Sequence, residues 1–359
     1  MQATEPDGPM TDQLLDDAAG TAADTEFTTA DTEFMTLAEP FRREILAHCY
    51  RMSGSLHDAE DLVQETYLRA WRGYDGFDGR ASLRTWLHRI ATNVCLTALD
   101  GRKRRPLPTG LGAPGSDPTA DLVERKEVPW LEPLPGPYTD DGRVDDPTDP
   151  ATIVASRDSV RLAFVAALQF LSARQRAVLL LRDVLQWRAS EVAAALGTTV
   201  AAVNSLLQRA RAQIRDAELA DAELSEPDTS ETRALVQKWV DGFEKYDIDS
   251  LVTMLTEDAI WEMPPFDGWY RGPAAIVSLI KHNCPAKGPG DQVLLPTVAN
   301  GQPALGLYMR GADGVHRPFQ LQVLDIIDGK VTHVTVFFAD DTVALFERFG
   351  LPEVPEART

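Results

Sequence analysis

The sequence from Gln186 to Arg215, QWRASEVAAALGTTVAAVNSLLQRARAQIR, predicts two helices joined by a tight turn at Gly197. Glycine adopts a positive φ at little steric cost, so Gly197 suits the end of the first helix. Thr198 or Thr199 can cap the second helix. Apolar residues then recur at helical spacing and predict one buried face: Val200, Val203, Leu207, Ala210 and Ile214.

The second helix of this pair leaves polar side chains on its outer face: Asn204, Ser205, Gln208, Arg209 and Arg211. A helix-turn-helix places its second helix in the major groove of DNA, where amide, hydroxyl and guanidinium groups contact base edges and phosphates. An ordinary helical hairpin with a solvated polar face would show the same pattern. The stretch alone therefore leaves both interpretations open.

Charge is distributed unevenly along the chain of 359 residues, whose net charge is −20. Residues 1–39 contain ten acids and no Lys or Arg, whereas residues 80–105 contain seven basic residues and residues 161–215 contain eight. A local basic surface is what binding to a phosphate backbone requires. The net charge therefore argues against a chain coated with nucleic acid along its whole length, but two segments are compatible with DNA binding.

The three cysteines, Cys49, Cys95 and Cys284, are far apart and form no CxxC or Cys/His cluster. The sequence therefore predicts neither a disulfide framework nor a zinc site, and no metal or cofactor is expected. No apolar run approaches the ~20 residues of a membrane span, and the acidic N-terminus lacks the pattern of a signal peptide. These observations favour a cytoplasmic protein that makes no membrane contact.

A second helical module precedes the helix-turn-helix. Residues 1–35 are acidic and rich in small residues, so a disordered tail is expected there. From Thr36 onward the apolar spacing predicts helices, among them His57–Trp71 and Leu83–Leu99. The last of these is followed by four consecutive basic residues and by Pro106, which cannot continue a helix.

Two sets of motifs carry a family resemblance. DAEDLVQETYLRAW (58–71) and FDGRASLRTWLHRIATNVC (77–95) resemble region 2 of the extracytoplasmic-function sigma factors, members of the sigma-70 family that direct RNA polymerase to promoters. LSARQRAVLLLRDVLQWRASEVA (171–193) and the helix-turn-helix resemble region 4 of the same family. Because both sets occur in the family's order, the resemblance favours a DNA reader over a plain hairpin. It implies core RNA polymerase and promoter DNA as partners.

The resemblance assigns roles to three groups of residues. Asp61, Gln64, Glu65 and Arg69 form a helix face that is either solvated or, as the resemblance implies, bound to core polymerase. The −10 element would be contacted by Phe77, Arg80, Arg84, Trp86, His88, Arg89, Asn93, Arg102, Lys103, Arg104 and Arg105. Aromatic rings can stack on unpaired bases, although Trp86 could equally belong to the core. The −35 element would be contacted by Asn204, Ser205, Gln208, Arg209 and Arg211.

Residues 106–157 are rich in Pro, Gly and Asp and predict a mobile linker. Its segment VPWLEPLP (128–135) holds a Trp and a Leu within a Pro-rich chain, the kind of anchors that dock into a groove. This insert resembles the sigma-G type of actinobacteria. In the family the linker threads the active-site cleft of the polymerase, and the acidic stretch Asp140–Asp149 suits such a path. Docking onto the chain's own C-terminal domain is the alternative.

The C-terminal third changes character, because two helices are followed by strand-like segments, a WYRG turn (269–272), a further helix and more strands. This order resembles the SnoaL-like branch of the NTF2-like fold, a curved sheet wrapped around helices with a conical pocket. Trp261, Trp269, His316, Asp325 and His333 are candidates for a regulatory pocket, with Phe337 and Phe338 beside them. The pocket would bind an unknown small ligand. Asp325 and the two histidines could also form an acid–base set, although strand polar residues of this kind are usually structural.

The sequence thus predicts a multidomain protein with two all-α DNA-binding domains and a C-terminal α+β NTF2-like cone-shaped barrel. The predicted segments are a tail (1–35), region 2 (36–105), a linker (106–157), region 4 (158–218), a second linker (219–230), the SnoaL-like domain (231–352) and a tail (353–359). The expected function is promoter recognition and DNA melting with core polymerase, controlled by the C-terminal domain and without enzymatic activity. The alternative is a ligand-binding or SnoaL-type enzyme domain tethered to a DNA-binding regulator.

Overall fold

The computed structural model describes residues 29–115, 117–136, 160–216 and 229–356, leaving out the side chains of 29–32 and 216. The predictions for tail residues 1–28, for the acidic stretch 140–149 and for most of the second linker lie outside the described residues.

The first module is a bundle of helices that carries the predicted region 2. Its helices are α1 (Thr29–Ala38), α2 (Arg42–Ser53), α3 (Leu56–Gly73) and α4 (Leu83–Leu99). The expectation of a disordered tail through residue 35 is wrong at its end, since α1 begins at Thr29. Phe34 is fully buried there, and its ring lies 5.1 Å from that of Tyr74. Burial of this aromatic ring stabilises a helix that the acidic composition did not predict.

Short polar residues set the helix boundaries in this bundle. Gly54 ends α2 with a φ of 74°, a conformation that glycine adopts readily. Ser55 then caps α3, because its Oγ accepts from the amide of Asp58 at 3.1 Å. Ser82 caps α4 in the same way by accepting from the amide of Thr85 at 3.1 Å.

The second module contains the predicted region 4. It consists of α5 (Leu162–Leu168), α6 (Ala173–Leu179), a π-helical turn (Leu180–Val184), α7 (Ala189–Ala195) and α8 (Val200–Asp216). This module packs directly on the first one through contacts of α5 and α6 with α2 and of α6 with α4. Arg176 of α6 is 5% exposed, and its guanidinium donates to the carbonyl of Met52 in α2. The two helical modules therefore share one core.

Parts of the linker, within residues 106–115 and 117–136, dock on the folded modules, as the docking alternative expected, although most side chains from 111 to 127 are exposed. Leu107 and Leu131 are buried in the core shared by the two helical modules. The amide of Leu131 donates to the carbonyl of Pro106 at 3.1 Å. Apolar anchors within a Pro-rich chain explain this order, since they bury surface without needing a helix or strand.

The third module is an α+β domain. Its helices are α9 (Ser230–Glu244), α10 (Pro273–Asn283) and α11 (Thr342–Arg348), with a 3₁₀ helix at Ile248–Thr253. Its strands are β1 (Leu255–Glu262), β2 (Trp269–Arg271), β3 (Gln292–Ala299), β4 (Gln302–Arg310), β5 (His316–Ile327) and β6 (Lys330–Phe337). The sheet order is β2-β1-β6-β5-β4-β3, and β1 runs parallel to β6 while the other pairs are antiparallel.

The two faces of this sheet are both covered, but by different parts of the chain. One face packs against α9 and α10 around the fully buried Trp239. The other face contributes Ala304, Leu321 and Val323 to the core that the helical modules share. Because side chains alternate between faces along a strand, strands β3 to β6 contribute to both cores. The all-α and α+β predictions are confirmed, and the C-terminal domain is joined to the helical modules by an apolar interface.

Candidate functional sites

The helix-turn-helix has the geometry that DNA reading requires. The axes of α7 and α8 differ in direction by 103°, within the usual range for this motif. Gly197 adopts the predicted positive φ of 58°, and Thr199 Oγ1 accepts from the amide of Ala202 at 3.1 Å to cap α8. Val203, Leu207 and Ala210 are buried as predicted. Val200 is 44% exposed, so it lies outside the apolar face to which the sequence assigned it.

All five predicted −35 contacts are exposed on α8: Asn204, Ser205, Gln208, Arg209 and Arg211. Two of the five are held by neighbouring side chains. Arg209 Nη1 donates to Ser205 Oγ at 2.9 Å along the helix. Arg211 forms a bidentate pair with Asp183, at 2.6 and 2.9 Å, and this carboxylate raises the pKa of Arg211. Arg211 is therefore fixed against the turn before α7, whereas Asn204 and Gln208 face outward beside Arg209.

The end of the first module presents an aromatic cluster. The ring of Trp86 lies 5.0 Å from that of Phe77, which stacks at 6.2 Å on Tyr74. Trp86 and Phe77 are both half-buried, so part of each side chain remains accessible. Arg89 and Asn93 are exposed on the same helix, and Arg80 is exposed in the preceding loop. Trp86 is thus both a packing residue and a possible stacking surface for an unpaired base.

Two predicted −10 contacts belong instead to a buried polar cluster around Glu44. Glu44 is 2% exposed and accepts from Arg84 Nε at 2.8 Å. His88 is 1% exposed, its Nε2 lies 3.2 Å from Glu44 Oε1, and burial lowers its pKa to about 3. A neutral, enclosed imidazole cannot contact phosphate, so the assignment of His88 to DNA is wrong. The charge of Arg84 is used to compensate the buried carboxylate.

The basic tetrad after α4 is largely engaged within the chain. Arg102 and Arg105 both contact Asp58 Oδ2, at 3.1 and 3.0 Å. The guanidinium carbon of Arg104 lies 4.8 Å from the ring centre of Phe170 in the second module. Lys103 is exposed. Sequence reasoning placed the whole tetrad on DNA, but in this arrangement it also holds region 4 and the linker against region 2.

The predicted polymerase-binding residues lie together on an open face of α3. Asp61, Glu65 and Arg69 line a groove of about 260 Å³ between α3 and α4, and Gln64 is exposed beside it. Glu65 and Arg69 pair at 2.6 Å along the helix. An exposed pair of this kind contributes little to stability, so its charges are available to a partner.

The linker motif WLEP performs a structural task that sequence reasoning missed. Glu132 Oε2 accepts from the amide of Leu56 at 2.9 Å, so this carboxylate caps the start of α3 from a distant part of the chain. Its Oε1 lies 3.4 Å from Arg105 Nη1. Tyr50 Oη donates to the backbone carbonyl of Glu132 at 2.7 Å. In the sequence Glu132 is only an acidic residue next to Leu131, and this pattern does not identify α3 as the helix that Glu132 caps.

Asn300 connects all three modules and the linker. It lies fully buried in the turn between β3 and β4, with a φ of 54°. Its Oδ1 accepts from the amide of Leu134 at 2.8 Å, and its Nδ2 donates to Tyr50 Oη at 2.9 Å and to the carbonyl of Val160 at 2.7 Å. The Asn-Gly dipeptide at 300–301 is typical of a tight hairpin. Nothing in that signal predicts the three distant partners.

The five residues predicted to line one pocket of the C-terminal domain are not brought together. Trp261 lines an apolar cavity against α10. Trp269 donates its indole N–H to the carbonyl of Gly112, and His316 Nε2 lies 3.0 Å from the carbonyl oxygen of Gly290. Asp325 and His333 are register partners across β5 and β6, on the sheet face turned toward the helical modules. Phe338 lines the cavity, whereas Phe337 belongs to the core shared with those modules.

Asp325 and His333 instead form a polar cluster with Glu262, beneath the linker. His333 Nε2 lies 2.7 Å from Oε1 of the fully buried Glu262, whose Oε2 accepts from the amide of Thr109 at 2.9 Å. Burial lowers the pKa of His333, but the carboxylates of Glu262 and Asp325 outweigh this and hold it above its usual value. Burial raises the pKa of Asp325, which also accepts from Gln302 Nε2. The cluster binds the linker and does not line the cavity.

Taken together, an exposed reading helix, an aromatic and basic bundle end and an open charged face define a sigma-70-type transcription initiation factor. Family models agree segment by segment: sigma-70 region 2 matches residues 37–105, sigma-70 region 4 matches 161–214, and the SnoaL-like domain matches 236–334. The ECF RNA polymerase sigma factor SigG of Mycobacterium tuberculosis is 62% identical over 316 residues, covering 88% of this chain and 83% of that protein. The chain belongs to the family of ECF RNA polymerase sigma factors.

A second relative supports the same domain order. The ECF sigma factor SigJ of Mycobacterium tuberculosis is 27% identical over 307 residues, covering 82% of this chain and 88% of that protein. The crystal structure of SigJ matches with a TM-score of 0.56 at 24% identity, covering 90% of this chain and 99% of that chain. At this identity the likeness concerns the fold: two helical sigma modules followed by an α+β SnoaL-like domain.

A helix that crosses a membrane needs about 20 predominantly apolar residues. Among residues 29–115, 117–136, 160–216 and 229–356, no single helix is long and apolar enough. The bent pair Ala189–Ala195 and Val200–Arg215 meets the length and hydropathy of a membrane span only when its two helices are taken together.

Proposed function

We propose that this sigma factor exists in a closed state, held by its C-terminal domain and linker, which must open before both promoter elements can be bound. As a sigma factor, the chain binds core RNA polymerase and promoter DNA inside the cell. We assign −35 contact to Asn204, Gln208 and Arg209 and −10 contact to Trp86 and Asn93. The single observation that carries the proposal is the direct packing of region 4 on region 2.

The distance between promoter elements supports an opening step. Elements centred near −10 and −35 lie roughly 25 base pairs apart, which is about 85 Å of B-DNA at ~3.4 Å per pair. Here α6 packs on α2 and α4, and Arg176 donates to the carbonyl of Met52 inside the shared core. Two modules in direct contact cannot lie on DNA segments so far apart. Separation has to break the bond from Arg176 to Met52 and release Arg104 from Phe170.

The linker and the C-terminal domain stabilise the closed state. Asn300 bonds to Tyr50 of region 2, to Leu134 of the linker and to Val160 at the start of region 4. Gln302 Oε1 accepts from the amide of Leu162 at 2.9 Å. These contacts support the proposal that the C-terminal domain regulates access to DNA and polymerase. The linker then threads the polymerase only after leaving this position.

The enzyme alternative has weaker support. An acid–base set made of His316, His333 and Asp325 would need these side chains around one substrate. His316 bonds to the backbone near Gly290, and the other two lie on the sheet face opposite the cavity. We therefore propose that the domain acts by binding, and without turnover.

Promoter melting by Trp86 is tested by run-off transcription with purified core polymerase. Trp86→Ala should reduce transcription from duplex promoter DNA, because an aromatic stacking partner is worth about 1–3 kcal/mol per base. A template already unpaired across the −10 element should restore the rate, and Trp86→Phe should retain part of it on duplex DNA. Equal activity of Trp86→Ala and the parent chain on duplex DNA would contradict the assignment, and so would a loss that the unpaired template does not repair.

A further inference from the structure

The C-terminal domain contains a cavity lined by Trp261, one of the candidates for the predicted regulatory pocket, and by Phe338. Its walls are mainly apolar and include Trp261, Met263, Leu279, Phe319 and Phe338. The free volume is about 50 Å³. Sites for small organic ligands usually enclose roughly 300–1,000 Å³, so the cavity in this closed state is too small for one.

A segment of the linker closes this cavity. We call residues 117–126 the strap. Leu122 of the strap is half-buried, lines the cavity and packs against the core of the C-terminal domain. The backbone that follows Leu122 is tied down, since Val123 O accepts from the amide of Asp267 at 3.1 Å and Arg125 N donates to Pro265 O at 2.9 Å.

The strap is also fixed by side chains at both ends. Asn283 Nδ2 of the wall donates to the carbonyl of Pro118 at 3.1 Å. Arg125 Nε pairs with Asp267 at 2.8 Å, with both groups accessible to solvent. Backbone bonds and an exposed ion pair hold the strap, and Leu122 supplies its apolar contact with the cavity. A strap held in this way can be released locally without unfolding the domain.

One polar group on the wall lacks a partner. Trp261 is 2% exposed, and its indole N–H has no acceptor among the described residues. A buried donor without an acceptor is costly, and such groups are usually satisfied by water or by a ligand. Because the remaining wall is mainly apolar, an acceptor within an otherwise apolar molecule matches it best.

We propose that Leu122 acts as an internal plug, and that the cavity binds a small, uncharged, mainly apolar molecule whose carbonyl accepts from the Trp261 indole. Entry of this ligand displaces Leu122 and frees the strap from the C-terminal domain. The strap belongs to the linker that joins regions 2 and 4, so occupancy weakens one support of the closed state. Only this last consequence, an effect on transcription, rests on the proposed function.

Binding is tested in the full chain with 6-acetyl-2-(dimethylamino)naphthalene, an uncharged fluorophore with one carbonyl. Leu122→Ala should tighten its binding about tenfold, because the apolar contact that the probe must displace is lost. Trp261→Phe should weaken binding about fivefold, since it keeps an aromatic, though smaller, side chain and removes the donor. Val123→Ala is the matched control, as Val123 is 55% exposed on the same strap, and it should bind like the parent chain.

Release of the strap is measured separately by hydrogen exchange. Saturating probe should speed exchange in peptides that contain the amides of Arg125 and Asp267, because both amides bond across the strap. Equal affinities of Leu122→Ala and Val123→Ala would overturn the proposal, as would unchanged strap exchange at saturation. If Trp261→Phe bound as tightly as the parent chain, the indole would not be the donor and the ligand class would be wrong. No polymerase is present, so these outcomes are independent of the transcription assays.

Discussion

Asn300→Gly should loosen the closed state without disturbing the turn that holds it. Glycine adopts the positive φ of 54° found at this position, so the backbone is retained while the side chain is removed. Three side-chain hydrogen bonds are lost, to Leu134, Tyr50 and Val160. At about 1 kcal/mol each, the docking of the C-terminal domain should weaken by about 3 kcal/mol. That corresponds to roughly a 100-fold shift in the opening equilibrium.

The opening is read from the linker. The amide of Gly136 donates to the carbonyl of Val298 at 2.7 Å, a bond that does not involve the deleted side chain. Hydrogen exchange at the Gly136 amide itself should therefore become faster by up to about 100-fold in Asn300→Gly, because exchange follows the opening free energy; the Leu134 amide is left out, since it bonds to the deleted side chain. The same variant should initiate transcription faster with core polymerase if the closed state limits the reaction.

Asp328→Gly is the matched control for backbone effects. Asp328 also has a positive φ, 49°, but it is exposed in the turn between β5 and β6. It should leave linker exchange unchanged, since glycine costs about 0.5–1 kcal/mol at most through the unfolded chain. If Asn300→Gly folds and its linker exchanges like that of Asp328→Gly, the three bonds do not hold the domains together and the reasoning fails.

Three further predictions concern charge. Arg209→Ala should reduce the slope of log affinity against log salt for −35 duplex DNA by about 1, whereas Lys245→Ala, an equal charge change just after α9, should not. His333→Gln should reduce stability mainly below about pH 6.5. Glu262 and Asp325 raise the pKa of folded His333, so the stability that the protonated ring contributes is lost as the pH rises through that pKa. A stability difference from the parent chain that stays constant from about pH 6 to 8 would contradict this. Glu132→Gln should destabilise the chain by about 1 kcal/mol in urea, and an effect no larger than that of Glu127→Gln would exclude the capping role.

The modules and the exposed polar face of α8 could be predicted from the sequence because they depend on local spacing. Val203, Leu207 and Ala210 repeat at helical intervals, so their burial on one face of α8 could be predicted. Gly197 precedes them, so the turn before α8 could be predicted as well. The outward position of Asn204 and Gln208 followed from the same periodicity. Family motifs then assigned these helices to promoter DNA, which periodicity alone could not do.

Individual charged residues were harder to place, because burial depends on what packs over a side chain. His88 and Asn93 lie on the same helix and both matched the family pattern, yet His88 is enclosed with Glu44 while Asn93 is exposed. Glu44 is forty residues from Arg84 in the chain. Periodicity along one helix does not show which partner covers it.

The sequence by itself determined the order of modules, the reading helix and the class of protein, since each depends on residues close together in the chain. Only the tertiary structure decided that regions 2 and 4 share a core, that Glu132 caps α3, that Asn300 joins three modules and that Leu122 closes a cavity. The bonds of Asn300 to Leu134 and Tyr50 join residues 166 and 250 positions apart. Contacts at such separations are fixed by the packing of whole modules, and local helix and strand propensities do not predict them.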